Sequence, residues 1–130
     1  MTKQIKNPFT WIEIYVDDMN RAQKFYETVL QIAMVPMEAP VQSGDLQMLS
    51  FPWAQDEANI SGALCKTSQM KPGTGGTLAY FACDDCAVET SRVVAAGGQV
   101  LQPKYQIGEY GFCSVCIDTE GNTIGLYSMK

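Results

Sequence analysis

The sequence predicts an α+β fold built from two βαβββ modules. Three observations support this. An aromatic and β-branched stretch ending in Asp-Asp occurs twice, at 11–18 (WIEIYVDD) and 78–85 (LAYFACDD). A helix-like segment follows each copy, and Asn-x-x-Gly recurs late in each half, at 59–62 and 122–125. Because one module cannot cover its own sheet, we expect the two to pack together.

The first module is predicted over about residues 8–66. Phe9–Val16 is dense in aromatic and β-branched residues and predicts a strand. Asp18 is a suitable N-cap for a helix through about Leu30, in which apolar residues recur at three- and four-residue spacing. Three shorter apolar runs predict the remaining strands: Ile32–Pro36, Gln47–Phe51 and Ile60–Cys65.

The second module is predicted over about 77–130, after a Gly-, Ser- and Pro-rich linker at about 67–76. Thr77–Cys83 predicts a strand, and Cys86–Ala96 predicts a helix that the following Gly-Gly ends. Three more strands complete the pattern: Gln99–Leu101, Phe112–Ile117 and Thr123–Ser128. A chain of 130 residues is expected to form one domain.

Composition narrows the classes of function. Nine basic and fourteen acidic residues give a net charge of −5, and no Lys/Arg cluster occurs, so we expect no nucleic-acid partner. We expect no membrane association, because no apolar run approaches the roughly 18 residues of a span. Without a secretory leader, the five cysteines are expected to be reduced thiols in a cytoplasmic protein. The sequence has no histidine, the commonest general base and transition-metal ligand.

Several of these segments resemble a known superfamily. Residues Trp11–Asp18, followed by Arg21-Ala22 and Phe25-Tyr26, resemble the opening of the vicinal oxygen chelate superfamily. This superfamily includes glyoxalase I, bleomycin resistance proteins and extradiol dioxygenases. The ending at 118–126 (DTEGNTIGL) is similar to its closing turn and strand. The resemblance implies that the two modules form a curved, U-shaped mixed sheet around a cavity. It also implies a small organic ligand in that cavity and a homodimer that covers exposed sheet edges.

The resemblance also implies where metal ligands would lie. Metal-binding members place one ligand on the first strand and one on the fourth strand of each module. In this sequence those positions fall on residues whose side chains cannot ligate a metal: Trp11, Gly62, Leu78 and Gly125. We therefore expect a member of the superfamily without a metal site and without a cofactor.

Strand alternation predicts which side chains face the cavity. If Trp11 faces it, then Glu13 and Tyr15 do too, whereas the intervening apolar residues pack under the helix. The same parity directs Tyr80 inward in the second module, and a Gly-flanked loop places Tyr110 at the cavity mouth. The predicted ligand-binding residues are Trp11, Glu13, Tyr15, Leu78, Tyr80, Tyr110, Thr123 and Tyr127.

Three functions are compatible with this cavity. The first is metal-independent binding of a small organic molecule, planar or aromatic, for sequestration, resistance or sensing. The second is a glyoxalase-related isomerase or lyase in which Glu13 transfers a proton inside an apolar cavity. The third is a protein-interaction module whose cavity is filled by side chains. An exposed Glu13, or one paired with a tyrosine or lysine, would favour binding over catalysis.

The cysteine spacing raises one further hypothesis. Cys83-x-x-Cys86 and Cys113-x-x-Cys116 have the spacing of a four-thiolate zinc site. Residues three apart on a strand point to opposite faces, so Cys113 and Cys116 are not expected to share a metal ion. Cys86 lies at a helix N-terminus, which favours a redox role. Buried, inert thiols are the expectation for most of the five.

Overall fold

A computed structural model describes residues 11–41, 44–54, 60–75 and 78–130. The first βαβββ unit contains one helix and four strands: β1 (Trp11–Tyr15), α1 (Met19–Leu30), β2 (Val35–Met37), β3 (Gln47–Ser50) and β4 (Ser61–Lys66). The second unit repeats this order: β5 (Ala79–Ala82), α2 (Cys86–Val93), β6 (Gln99–Gln106), β7 (Phe112–Ile117) and β8 (Thr123–Ser128).

The two units have the same strand topology. Each forms a separate four-stranded mixed sheet, with strand orders β1-β4-β3-β2 and β5-β8-β7-β6. In each sheet the first strand pairs in parallel with the last, whereas the other pairs are antiparallel. The predicted fold class is therefore confirmed, although the sheets do not close on each other. No helix among the described residues is long and apolar enough to cross a membrane.

Both helices begin at the Asp-Asp sequences. The Asp18 carboxylate accepts a hydrogen bond from the Arg21 amide at 3.0 Å, and Asp85 accepts one from the Ala87 amide at 3.0 Å. Both aspartates have extended backbone geometry, as N-cap residues do. The first helix has the predicted bounds, whereas α2 ends at Val93 instead of Ala96.

Strand β6 is longer than predicted. The sequence predicted a strand that ends at Leu101. In the structure β6 is an edge strand that pairs with β7 as far as Gln106. Two irregularities in the register accommodate Pro103, which cannot donate a ladder hydrogen bond. This extension places Tyr105 opposite Cys113.

The core lies between the helices and the faces of the sheets that they cover, called here the helix faces. It contains the apolar stripe of α1 together with residues of both sheets and of α2. Three rings join the units: Tyr26, Phe51 and Phe81, with centroids 5.5–5.7 Å apart. The core is therefore shared by the two units.

The turn at 118–122, called here the inter-unit turn, bonds the second unit to the first. Asp118 is 3% exposed and accepts a hydrogen bond from the Tyr26 hydroxyl at 2.6 Å. Burial, and secondarily the Asp118 charge, raise the pKa of Tyr26 well above its ordinary value. The Asn122 side-chain amide donates to the Tyr15 carbonyl oxygen at 2.8 Å. These bonds fix the position of β8 relative to β1.

Glu120 adds an ion pair to the inter-unit turn. The Arg21 Nε lies 2.7 Å from Glu120 Oε2, and the Asp17 and Asp18 amides each donate to Glu120 Oε1 at 2.9 Å. Burial alone would raise the pKa of Glu120. The Arg21 guanidinium, the two amides and the Thr119 hydroxyl outweigh it and lower the pKa to about 2.

Acid is expected to destabilise the protein through Glu120. Because its pKa is lower in the folded than in the unfolded chain, its stabilisation is complete above its ordinary pKa and is lost as the pH falls towards 2. We expect the difference in unfolding free energy between wild type and Glu120→Gln to shrink by about 1–2 kcal/mol between about pH 7 and pH 3. Urea unfolding at several pH values measures it. A difference that stays constant with pH would contradict the assignment.

Candidate functional site

The face of the second sheet opposite α2, called here its open face, carries an aromatic pocket. The register places Tyr80 beside Gly125, and Tyr127 beside Cys113. The pocket has a volume of about 290 Å³. Its lining comes from β5, β6, β7, β8 and the residue after β6: Tyr80, Ala82, Tyr105, Ile107, Cys113 and Tyr127. Three tyrosine rings therefore converge on one open cavity.

Tyr80 occupies the space beside a glycine. A Cβ added at Gly125 would overlap the Tyr80 ring. Gly125 is buried, whereas the Tyr80 side chain is half exposed, so the ring lies over the strand with its other side accessible. The absence of a side chain at Gly125 is what allows this arrangement.

The residues at two of the expected metal-ligand positions, Gly125 and Trp11, do not fit a metal ion. The position at Gly125 has no room for a carboxylate, because the Tyr80 ring fills it. Trp11 offers an N–H donor, which it gives to Glu13, and not a lone pair. Within the part of the chain that the structure describes, no group of three or more Cys, Asp or Glu side chains could hold a metal ion.

On the open face of the first sheet, three predicted residues contact one another. Glu13 Oε2 accepts a hydrogen bond from Trp11 Nε1 at 3.1 Å, and Glu13 Oε1 accepts one from the Tyr15 hydroxyl at 2.8 Å. The hydrogen bond with Glu13 is the main reason that the pKa of Tyr15 rises to about 12. Glu13 is exposed instead of being enclosed by apolar walls. Its carboxylate thus has two side-chain partners and contact with solvent.

The register corrects one expected position. The Asn-x-x-Gly match placed Gly62 on the same face as Trp11. In the structure Gly62 pairs with Ile12 and Ala63 pairs with Glu13, so Ala63 shares the open face and Gly62 lies on the helix face. The Asn-x-x-Gly match is therefore one residue out of register, since Ala63 pairs with Glu13 as Gly125 pairs with Tyr80. Alanine is no metal ligand either, so the chemical expectation does not change.

The remaining predicted ligand-binding residues lie in different parts of the structure. Thr123 is half-buried on β8, and Leu78 is half-buried just before β5, but neither lines the aromatic pocket. Tyr110 ends a one-turn 3₁₀ helix (Gly108–Tyr110), and its side chain lies outside the described part of the structure. Tyr105 was missed by the sequence analysis, which assigned it to a loop. Simple alternation would not have found it, because two register irregularities lie between Val100 and Tyr105.

The cysteines are all free thiols. Cys113 lines the aromatic pocket, whereas Cys116 belongs to the core on the helix face, so the two point to opposite faces as predicted. Cys86 is completely buried, which removes the access that a redox role requires. Cys113 also hydrogen bonds to Tyr105 and thereby raises the pKa of that phenol.

A second and larger cavity lies between the units on the helix-face side. Its volume is about 440 Å³, and it was not predicted. The walls come from β1, the end of α1, the segment after β3, the start of β4 and strand β5, with one acidic residue on α2, and Tyr80 and Ala82 of β5 also line the aromatic pocket. Its lining residues include Ile12, Ile14, Leu30, Phe51, Phe81 and Glu89.

Comparison with known proteins gives one family match and one set of sequence relatives. Residues 8–39 match the family described as bleomycin resistance protein-like N-terminal. The chain is 28% identical over 123 residues to CFP32 of Mycobacterium tuberculosis (strain CDC 1551 / Oshkosh), which carries a provisional glyoxylase name. That alignment covers 90% of this chain and 44% of CFP32, so the chain spans less than half the length of this relative.

Several solved structures share the fold. A glyoxalase-related enzyme from Fulvimarina pelagi has a TM-score of 0.70 at 17% identity, covering 98% of this chain and 88% of that one. The antibiotic-binding protein TnmS3 from Streptomyces sp. CB03234 has a TM-score of 0.68 at 22% identity, covering 98% and 100%. A glyoxalase/bleomycin resistance protein from Albidiferax ferrireducens has a TM-score of 0.67 at 19% identity, covering 94% and 99%.

Proposed function

Because the chain belongs to the vicinal oxygen chelate superfamily, we propose that it binds a small planar or aromatic organic molecule without a metal ion. The binding site is the aromatic pocket on the open face of the second sheet. The observation that carries this proposal is the convergence of Tyr80, Tyr105 and Tyr127 on one open cavity of about 290 Å³. Small-molecule binding is the general function that the superfamily and the shared fold support.

The size and chemistry of the pocket indicate the ligand. A volume near 300 Å³ is at the lower end of small-molecule sites and suits a molecule of one or two fused rings. Tyrosine rings stack on planar ligands and contribute large apolar areas with little loss of side-chain entropy. The Tyr127 hydroxyl donates to Met129 Sδ at 2.9 Å and the Tyr105 hydroxyl bonds to Cys113, so the rings contribute mainly stacking surface. We propose no charged ligand for this pocket, because its lining contains no acidic or basic side chain.

The surroundings of Glu13 favour a binding role over an enzymatic one. A general acid or base must reach the substrate with a free oxygen. Both Glu13 oxygens already accept hydrogen bonds, from Trp11 and Tyr15, and Glu13 does not line the aromatic pocket. Glu13 is therefore not placed to transfer a proton to a ligand in the aromatic pocket. The interaction-module hypothesis is also weaker, because the pocket is open instead of filled.

We extend the proposal to the biological role and the assembly. An antibiotic-binding protein shares this fold, which supports sequestration or resistance as the role. We also propose a single domain that forms a cytoplasmic homodimer. The open face of the first sheet exposes Trp11, Val35 and Met37 at 38%, 47% and 38%, an apolar surface that a second copy would cover.

Removing the Tyr105 ring is expected to weaken ligand binding. We expect Tyr105→Ala to reduce the affinity for coumarin, a neutral planar probe, about tenfold, because an aromatic contact and its buried area are lost. Tyr105→Phe keeps the ring and should bind within about threefold of wild type. Isothermal titration calorimetry measures the affinities, with Leu101→Ala, an exposed residue on the same strand, as the control.

The aromatic-pocket proposal fails if Tyr105→Ala and Leu101→Ala bind the probe equally well. It also fails if wild-type protein treated with a chelator does not bind the probe but protein supplied with Ni²⁺ or Zn²⁺ does. In that case the superfamily's metal-dependent chemistry would become the leading hypothesis.

A further inference from the structure

We propose that the cavity between the two units is a second ligand site, specific for a compact apolar molecule that carries a protonated amine. This cavity adjoins the aromatic pocket and shares Tyr80 and Ala82 with it, but the inference uses other residues. It rests on the cavity volume, on the apolar character of the walls, and on one buried carboxylate oxygen of Glu89.

The cavity has the size and lining of a small-molecule site. Its volume of about 440 Å³ falls within the usual range for such sites. Ile14 and Phe51 line the interior, whereas Ile12 and Ile60, which are 37% and 40% exposed, give access from solvent. The Ser61 hydroxyl already donates to the Phe51 carbonyl oxygen at 3.3 Å, so it is engaged within the wall. Most of the lining residues can therefore contact a ligand only through apolar groups.

Glu89 is the exception in this lining. It is the one acidic or basic side chain among the described residues that line the cavity. Its Oε1 atom is inaccessible to solvent and accepts no hydrogen bond from any described residue. A buried acceptor without a donor costs about 1–3 kcal/mol, more when charged, so such groups are normally satisfied. No ion pair of Glu89 occurs among the described residues either.

The neighbour of Glu89 does not supply a positive charge. The Cys83 thiol donates a hydrogen bond to the Glu89 carboxylate, and burial, followed by the Glu89 charge, raises the pKa of Cys83 to about 12. The thiol therefore stays protonated and neutral at physiological pH. A ligand ammonium group at the Glu89 carboxylate would supply the opposite charge, and its apolar body would fill the space between β1 and β5. A carboxylate ligand would be repelled.

The test uses 1-adamantylamine, which is compact, apolar, non-aromatic and protonated at neutral pH, with 1-adamantanol as its neutral analogue. Isothermal titration calorimetry should show that wild-type protein binds the amine at least about tenfold more tightly than the alcohol. Glu89→Gln should weaken amine binding about tenfold or more and leave alcohol binding within about threefold. The control Asp84→Asn, which removes an exposed carboxylate near the same helix, should bind the amine like wild type.

A second variant tests whether the ligand occupies the cavity between the units. Ala79 lines the cavity, and Ala79→Leu should weaken both the amine and the alcohol, because the added carbons occupy ligand space. Equal binding of amine and alcohol to wild type would overturn the proposal, as would unchanged amine binding by Glu89→Gln. Amine binding that Tyr105→Ala abolishes but Ala79→Leu leaves unchanged would place the molecule in the aromatic pocket and would also overturn it.

Discussion

Replacing Asp118 by alanine is expected to lower the free energy of unfolding by about 3–4 kcal/mol, a large effect for one substitution. Its carboxylate is buried and accepts four hydrogen bonds. The donors are the Tyr26 hydroxyl at 2.6 Å, the Glu120 amide at 2.8 Å, and the Asn122 amide and side-chain nitrogen at 2.9 and 3.0 Å. Alanine would leave these donors without an acceptor, and the Tyr26 hydroxyl is completely buried.

Chemical denaturation with far-UV circular dichroism measures the Asp118 effect. Asp84→Ala is the matched control, because it removes an exposed aspartate and should change the unfolding free energy by less than about 0.5 kcal/mol. Tyr26 belongs to the first unit and Asp118 to the second. The Asp118→Ala variant should therefore unfold in one cooperative transition, with a lower free energy of unfolding. A loss below about 1 kcal/mol would mean that the inter-unit turn does not hold the units together.

Replacing Gly62 by alanine is expected to destabilise the protein by about 3 kcal/mol. A Cβ at this position would overlap the Ile12 carbonyl oxygen on the paired strand, and the helix face there also borders the cavity between the units. Backbone atoms of a parallel strand pair cannot move aside as a flexible side chain can. The strain must therefore be relieved by separating β1 from β4, which costs packing as well as hydrogen bonds.

Gly73→Ala is the control for Gly62→Ala. A Cβ at Gly73 would meet no atom within 4 Å, and the hydrogen bond that the Gly73 backbone N–H donates to Asn122 Oδ1 at 2.9 Å would remain. We expect a change within about 0.5 kcal/mol, measured by thermal and urea unfolding of both variants. Equal stability of Gly62→Ala and Gly73→Ala would contradict the close approach of β1 and β4.

Local signals in the sequence predicted most of the secondary structure. The caps at Asp18 and Asp85 are encoded within a few residues of each helix, and β7 and β8 have the predicted bounds because their apolar runs end at clear turns. The edge strand β6 was predicted too short, because Pro103 is a local signal for a loop. Its actual length depends on pairing with β7, which no local pattern records.

The site was less predictable because it depends on contacts between segments. Alternation correctly grouped Trp11 with Glu13 and Tyr15, since all three lie on one short strand. It could not determine which residue of β4 lies beside Glu13, because strand register depends on the whole loop before β4. No sequence pattern indicated Glu89 as a site residue, because the cavity around it forms only when segments distant in sequence come together.

The most direct test of the proposed function is a chemical-shift map of chelator-treated, ¹⁵N-labelled protein titrated with coumarin. We expect saturable chemical-shift changes that cluster at the residues of the aromatic pocket, Tyr80, Tyr105, Cys113 and Tyr127. Adding Ni²⁺ or Zn²⁺ should not change them. Shifts that appear only after metal is added, or that cluster away from this pocket, would contradict metal-free binding on the open face of the second sheet.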